Sequence, residues 1–577
     1  MRRIAWPHRL CPVLIVCLPV ACTPDPDRVP AQPTVTTDGS IRFEDATESS
    51  GVMFRHVAGR SAQKWMPEIM GSGVAIADFN RDGAPDIVLI NSGQLWREAR
   101  PAGAANALYL NDGQGHFREV SVEWGLPSPG YGMGVAVGDY DNDGYVDLLL
   151  TQFDCNDRLL RNTGTSLIDV TEQVGLSSDG AWSTSAGFLD FDADGWLDLY
   201  VARYLHLPSA DAPQSFRNQV LVYPTPLLFP PIADRVWRND GQGHFTDHSE
   251  ASGVAAAPSK GLAVAIGDVN VDGRPDVYVA NDTAANQLWL TAPEGSWEEV
   301  AALAGSAYDE HGREEGSMGA DFSDFDGNGL PDIAVSNFHL EVTSIYRQSQ
   351  PLLFDEAADR VGVGQTSRAR LSFGLDYFDA DNDGWEELLV ANGHIEDNIE
   401  LNSSSVTFAQ PNSLYRNLGD GHYADISEQA GEALLGSAVS RGLATGDLNG
   451  DGRLDFVISN NDGPAQVAFN ASEAGHFVLL WLEGRPSNRS AIGARVVAQI
   501  GDRQLQREVM GAQSYLSVSD FRLHLGLGQA EQVDSLQIHW PSGLLQTLGP
   551  LAQGRHYRIV EGQAPEIYVP GERVIAP

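Results

Sequence analysis

Along most of the chain, short apolar runs are broken by tight acidic or glycine-rich stretches, and one order of parts recurs. A small-residue apolar stretch such as GSGVAIA or KGLAVAIG comes first, an acidic nonapeptide follows, and a β-rich run (IVLI, LLLT, LYVA, VYVA, IAVS, LLVA or FVIS) comes directly after it. That order predicts strand, tight loop, strand. LYLNDGQGHF (108–117), VWRNDGQGHF (236–245) and LYRNLGDGHY (414–423) read as a further strand and turn. A last pattern, an aromatic or Leu with an acid two residues on and then a Gly, starts at Phe43, Phe117, Leu167, Phe245, Trp297, Leu353 and Tyr423. The unequal steps between copies imply a fixed unit carrying loops of different length. The largest insertions fall around Gln94–Asn106, Leu205–Ile232 and Glu396–Asn412.

Three to four short strands per unit, repeated seven times, predict an all-β fold: a seven-bladed β-propeller over residues 41–474. A solenoid of the same units is the alternative, but the units lack helical periodicity. Residues 475–562 read as a second, smaller, sandwich-like β domain. FVLLWLEG, ARVVAQI, LQIHW and HYRIV are strand runs separated by turn residues, and the absence of an acidic nonapeptide excludes an eighth blade. Residues 563–577 form a tail.

The nonapeptides follow D-x-[D/N]-x-[D/N]-G-x-x-[D/E]. Their candidate ligands are Asp78, Asn80, Asp82 and Asp86; Asp139, Asp141, Asp143 and Asp147; Asp190, Asp192, Asp194 and Asp198; Asp268, Asn270, Asp272 and Asp276; Asp324, Asp326, Asn328 and Asp332; Asp379, Asp381, Asp383 and Glu387; and Asp447, Asn449, Asp451 and Asp455. Positions 1, 3 and 5 turn their oxygens into one concavity, Gly at 6 permits the reversal, and the acid at 9 closes the cage. An all-oxygen set favours Ca2+ over zinc or copper, at about seven sites. Asp-Gly clusters also make ordinary hairpin turns, but turns alone do not require acids or amides at positions 1, 3, 5 and 9 in seven copies.

The formal charge of −41 opposes binding to phosphate backbones, which argues against nucleic acid, and it fits carboxylates neutralised by bound cations. Arg2, Arg3 and Arg9 precede the apolar run Leu10–Ala21, so residues 1–22 read as a signal peptide. Ala21-Cys22 is similar to a lipoprotein cleavage site, which predicts a cell-surface or outer-membrane lipoprotein touching the membrane only through lipid on Cys22. Cleavage near Ala21 without lipid, giving a periplasmic or secreted protein, is the other reading. Residues 23–40 are a Pro- and Thr-rich tether. Only Cys155 remains beyond the signal segment, so the mature chain has no intrachain disulfide framework.

The residues just after the post-loop strands should gather at one rim, where the long insertions also emerge. Among them His339, Glu341 and His394, with Asp282, form the candidate catalytic or second metal set. The alternative is that these are loop groups and that Asn281, Asn337 and Asn392 brace turns. His56, Lys64 and Glu68 line a first-blade pocket or pack structurally. No nucleophile elbow, P-loop or zinc-protease motif is present.

The repeats resemble FG-GAP (VCBS-like) repeats of integrin-type propellers. NRSAIGARV (488–496), REVMGAQSYLSV (507–518), HLGLG (524–528) and WPSG (540–543) resemble the ASPIC/UnbV domain. The combination resembles the cartilage acidic protein family and its bacterial relatives, and FRHVAGRSAQKWMPEIMGSG (54–73) is similar to the segment before the first loop of bacterial members. The resemblance implies an exported, calcium-binding propeller with a C-terminal β domain and brings no established activity. Two functions therefore stand: an adhesion or ligand-binding module for a protein or glycan at the cell surface, and an exported enzyme acting on a glycan or lipophilic metabolite through the rim set.

Overall fold

Each acidic nonapeptide begins where one strand ends, and its ninth residue opens the next strand. The computed structural model describes residues 40–95, 104–127, 130–177, 179–208, 213–292, 295–403 and 405–572. The signal segment 1–22, nearly all of the tether 23–40 and the end of the tail lie outside them.

Seven four-stranded antiparallel sheets follow one another along the chain. The inner strands are Val74–Ala77, Tyr131–Gly138, Ser183–Leu189, Gly261–Gly267, Gly319–Ser323, Ser372–Phe378 and Ser440–Gly446. Each packs against the inner strand of the next sheet, and the seventh packs against the first, so the sheets close into a propeller ring. The outer strand of the last blade is Phe43–Asp45, which pairs with Ala468–Asn470. The blade is therefore offset from the repeat as the sequence presents it: the Phe43 copy completes blade seven. This pairing of the two ends of the propeller segment closes the ring, and the edges left at the outer strands are only two to four residues long. Apolar side chains from facing sheets fill the space between blades, as where Val74, Ile76, Ile87 and Leu89 meet Ala444, Val457 and Val467.

The C-terminal domain is a two-sheet sandwich. One sheet runs Leu523–Gly528, His476–Glu483, Arg555–Val560 and Glu566–Tyr568; the other runs Arg503–Glu508, Arg495–Ile500, Ser535–His539 and Leu545–Leu548. Glu566–Tyr568 extends the domain past residue 562, where the sequence reading ends it, because this strand satisfies the edge of Arg555–Val560.

Between Glu508 and Leu523 the chain leaves the sandwich and enters the propeller axis. Residues 509–522 bond to every blade in turn. Val518 N donates to Val74 O (3.0 Å) and Val135 N to Leu516 O (3.1 Å). Leu516 N donates to Ser185 Oγ (2.9 Å), Ile266 N to Ala512 O (3.0 Å) and Ser514 N to Ala320 O (2.7 Å). Ser519 Oγ donates to Asp376, and Thr445 N donates to Ser519 Oγ (2.9 Å). The plug fits because the inner strands carry glycines where it passes: a Cβ on Gly73 would lie 1.7 Å from Leu516 O.

Candidate metal-binding loops and the opposite mouth

All seven nonapeptides lie at the propeller face on which the sandwich sits. The glycine N–H at position six donates to the first acid in every copy, and loops one, two, three, six and seven also tie the position-two N–H to the ninth acid. In the first, Asp78 accepts from the N–H of Asp82 (3.1 Å) and Gly83 (2.7 Å). Asn80 accepts from Asp82 N (2.9 Å), and Asp82 accepts from Ala84 N (3.0 Å). Asp86 accepts from Phe79 N and Asn111 N, both at 2.9 Å. Both oxygens of Asp78 and of Asp86 take part in holding the turn, and each keeps a second lone pair that a cation could use. In loops two, three, five and six the carboxylate oxygens of Asp139, Asp141 and Asp147, of Asp190, Asp192 and Asp194, of Asp324, Asp326 and Asp332, and of Asp379, Asp381 and Glu387 lie within 4.8 Å of one another.

Burial makes this crowding expensive. It pushes Asp78, Asp190 and Asp447 up to about 7 and Asp139 to about 8. The ninth-position acids, including Asp86, Asp147, Asp198, Asp276, Asp332, Glu387 and Asp455, are raised further, by burial first and then by the neighbouring carboxylates. Asp192 Oδ1, Asp276 Oδ2, Asp324 Oδ1, Asp332 Oδ2 and Asp381 Oδ1 are buried without a protein donor. Hard, converging, underdonated oxygens fit a divalent cation, and such an ion would offset both the burial and the mutual repulsion that raise these acids. Arg161, Arg238, Arg347 and Arg416, from the third strands, meet the position-three acids Asp141, Asp192, Asp326 and Asp381 on their outer side. Val271, in loop four, holds φ at 60°, a strained value for a β-branched residue.

A set of residues that the sequence reading passed over ties the loops together. Asn162 on the third strand of blade two donates to Phe79 O in the preceding loop (2.9 Å) and to Val146 O in its own (3.0 Å). Asn111, Asn239, Gln348, Asn417 and Asn470 do the same at Leu448, Tyr140, Val269, Phe325 and Ala380. Thr291 occupies this place in blade four and reaches only its own loop, at Pro275 O. The signal was the amide recurring at one register in LYLN, VWRN and LYRN.

The other mouth is built from segments that do not repeat. The first-blade segment and the blade-three and blade-six insertions meet across it. Lys64 pairs with Glu396 (3.3 Å) and Asp397, and lies over the Tyr223 ring. Tyr223 N donates to Glu396 (2.8 Å), and Asn398 donates to Leu221 O (3.0 Å). Glu68 accepts from Ser61 and Tyr223, while His56, wholly buried, bonds Ser92 and accepts from Asp462 N. Beneath lie edge-to-face aromatic pairs, Phe153 with Trp182 and Trp182 with Tyr204. Arg441 is fully buried against the Phe373 ring and bonds the carbonyls of Ile69, Gly393 and Ser440; burial lowers it to about 9.

His339, Glu341, His394 and Asp282 gather in one sector of this mouth. The two imidazoles are 6.1 Å apart. His394 Nδ1 accepts from Glu396 N (3.0 Å), so its neutral ring carries the proton on Nε2 and presents a donor rather than a metal ligand. Burial, then His339 and Arg441, lower it to about 3. Glu341 accepts from Gly316 N and Phe338 N. Asp282 accepts from Tyr204 and is raised by burial to about 6. Asn281, Asn337 and Asn392 brace turns through Ala285, Val342 and Pro411 carbonyls. Phe216, Leu340 and Leu401 stand exposed around this rim.

Comparison with known proteins gives two family matches. The FG-GAP-like repeat matches residues 78–150, 140–201, 232–279, 268–335 and 379–458. The ASPIC and UnbV domain matches 484–566. Cartilage acidic protein 1 of Mus musculus is 24% identical over 83% of this chain and 71% of its own, and that of Homo sapiens is 24% identical over 83% and 70%. Integrin alpha-7 of Homo sapiens is 33% identical over 24% of this chain and 14% of its own. Among the described residues no helix is long and apolar enough to cross a membrane.

Proposed function

Since the chain belongs to the family of FG-GAP-like repeat proteins that carry an ASPIC/UnbV domain, as cartilage acidic protein 1 does, we propose that it is an exported, calcium-clipped propeller acting as an adhesion or ligand-binding module. The observation that carries this reading is the division of labour between the two faces. One face holds seven copies of the acidic loop, four of which bring three carboxylate oxygens within 4.8 Å of one another. The other is assembled from unique insertions and leaves large apolar side chains in solvent. Calcium in each loop supplies the staple that an exported chain without disulfides lacks. The rim carrying Phe216, Leu340 and Leu401 is the surface offered to a protein or glycan partner at the cell surface, and the N-terminal segment, with Cys22 as its lipid-bearing residue, holds the propeller there. Elemental analysis of the purified protein, with thermal melts with and without chelator, tests the scaffold. About seven calcium ions per chain and a large drop in Tm on chelation are expected. Little calcium and an unchanged melt would overturn it.

A further inference from the structure

Five of the seven position-six glycine carbonyls are held by a donor from outside their own loop. Gly83 O accepts from Arg522 Nη1 (2.5 Å) and Gly144 O from Arg81 Nη1 (2.8 Å). Gly195 O accepts from Asn142 Nδ2 (2.9 Å) and Gly384 O from Arg503 Nη2 (2.7 Å). Gly452 O accepts from both Asn382 Nδ2 (3.1 Å) and His524 Nε2 (3.0 Å). Taken round the ring, these are loops six, seven, one, two and three, an unbroken arc.

The donors are of two kinds. Arg81, Asn142 and Asn382 are position-four residues held left-handed at φ 58°, 55° and 57°, which turns each side chain toward the following loop. Arg503, Arg522 and His524 belong to the C-terminal chain; Arg522 and His524 are two residues apart at the start of one sandwich strand, so a single rigid element spans loops one and seven. The arc ends at loop three, where position four is Ala193 and the neighbouring clasp is Thr291 rather than an amide. Loops four and five carry Val271 and Gly327 at position four, which have no side-chain donor. Among the described residues nothing donates to the carbonyls of Gly273 or Gly329.

We propose that loops six, seven, one, two and three bind their cations as one coupled unit clamped by the C-terminal domain, whereas loops four and five lie outside that unit. Gln348 and Asn417 tie loop five to its neighbours and Glu508 accepts from Asp268 N (2.9 Å), but none of these contacts fixes a glycine carbonyl. This rests on the cation-binding reading above. An ion fixes the conformation of its loop and so the position of the glycine carbonyl. The clamp, the next loop and the plug that continues from Arg522 then feel the same displacement. Linkage makes the effect reciprocal: a docked C-terminal domain raises the affinity of the arc by the factor that ions in the arc favour docking.

The test is a calcium titration of the full chain by native mass spectrometry, with hydrogen exchange of residues 509–522 followed in parallel. The wild type should pass from species with at most two ions to the fully loaded species with intermediates depleted, and plug protection should appear at that step. Asn142→Gly with Asn382→Gly keeps the left-handed backbone and removes two links. It should populate the intermediates and raise the calcium needed for half-protection at least about fivefold. Asp276→Asn, which replaces the closing acid of loop four, should remove one ion and leave the cooperative step and plug protection in place. Independent filling in the wild type, or a loop-four variant that moves plug protection as much as the double variant, overturns the coupling while leaving the calcium scaffold intact. Absence of calcium binding altogether overturns both.

Discussion

The two faces of the propeller are built on opposite principles. On the sandwich side, one short motif is used seven times, its glycine N–H hydrogen-bonded to the first acid in each copy. On the other side, the segments that close the mouth do not repeat: residues 54–73, 205–232 and 396–412 come from three different places and interlock through Lys64, Glu396 and Tyr223. Repetition suits a structural element, because each copy solves the same local problem of turning a chain around clustered oxygens. Singular insertions suit recognition, because a partner needs a surface without seven-fold pseudo-symmetry.

The largest effect expected on this contrast is chelation. A site filled at a hundred times its Kd contributes about 2.7 kcal/mol, so stripping the loops should collapse the Tm while the mouth segments, which hold no such site, only follow. Differential scanning calorimetry with and without chelator reads this directly. Next is Gly73→Val, which puts a side chain where Leu516 O lies. It should cost about 3–5 kcal/mol and raise proteolysis within 509–522, even with calcium saturating; full protection of the plug in that variant would refute the close approach.

The asparagine clasps sharpen the comparison within the repeating face. Asn162→Ala leaves two carbonyls without a donor and should cost about 2 kcal/mol in urea denaturation. Thr291→Asn, which supplies the missing amide, should instead be neutral or gain up to about 1 kcal/mol.

A smaller effect separates the faces by pH. His56, beneath the mouth, is lowered to about 3 by burial from an ordinary 6.5. The folded state therefore refuses a proton that the unfolded chain takes up, so the stability His56 confers is complete above pH 6.5 and is lost as the pH falls toward 3. The stability gap between wild type and His56→Gln should accordingly narrow with acidification over that window, by up to about 1.4 kcal/mol per pH unit. A gap constant with pH would show that His56 is not held neutral. Least costly to the fold are Phe216→Ser and Leu340→Asp at the rim. They should change stability by about 0.5 kcal/mol or less and abolish surface binding measured by plasmon resonance against the cell-surface extract that retains the wild type.

The sequence alone determined the repeating face. The acids, their spacing, the flanking strands and the count of units are all local. A turn around clustered oxygens and two antiparallel strands needs nothing beyond some nine contiguous residues and their neighbours, so Asp78–Asp86 and its six counterparts read directly as loops between strands. What the tertiary structure decided is everything that depends on residues far apart in the chain. The completion of blade seven by Phe43–Asp45, the asparagine clasps between adjacent blades and the gathering of His339, Glu341, His394 and Asp282 in one sector all require the ring to be closed first. The plug is the clearest case. REVMGAQSYLSV has no periodicity that marks it as a channel filler, because its hydrogen-bond partners are the inner strands of seven different blades, contributed by residues spread from Val74 to Thr445. Only closure of the ring brings those donors and acceptors to one axis, so its place became visible only in the folded molecule.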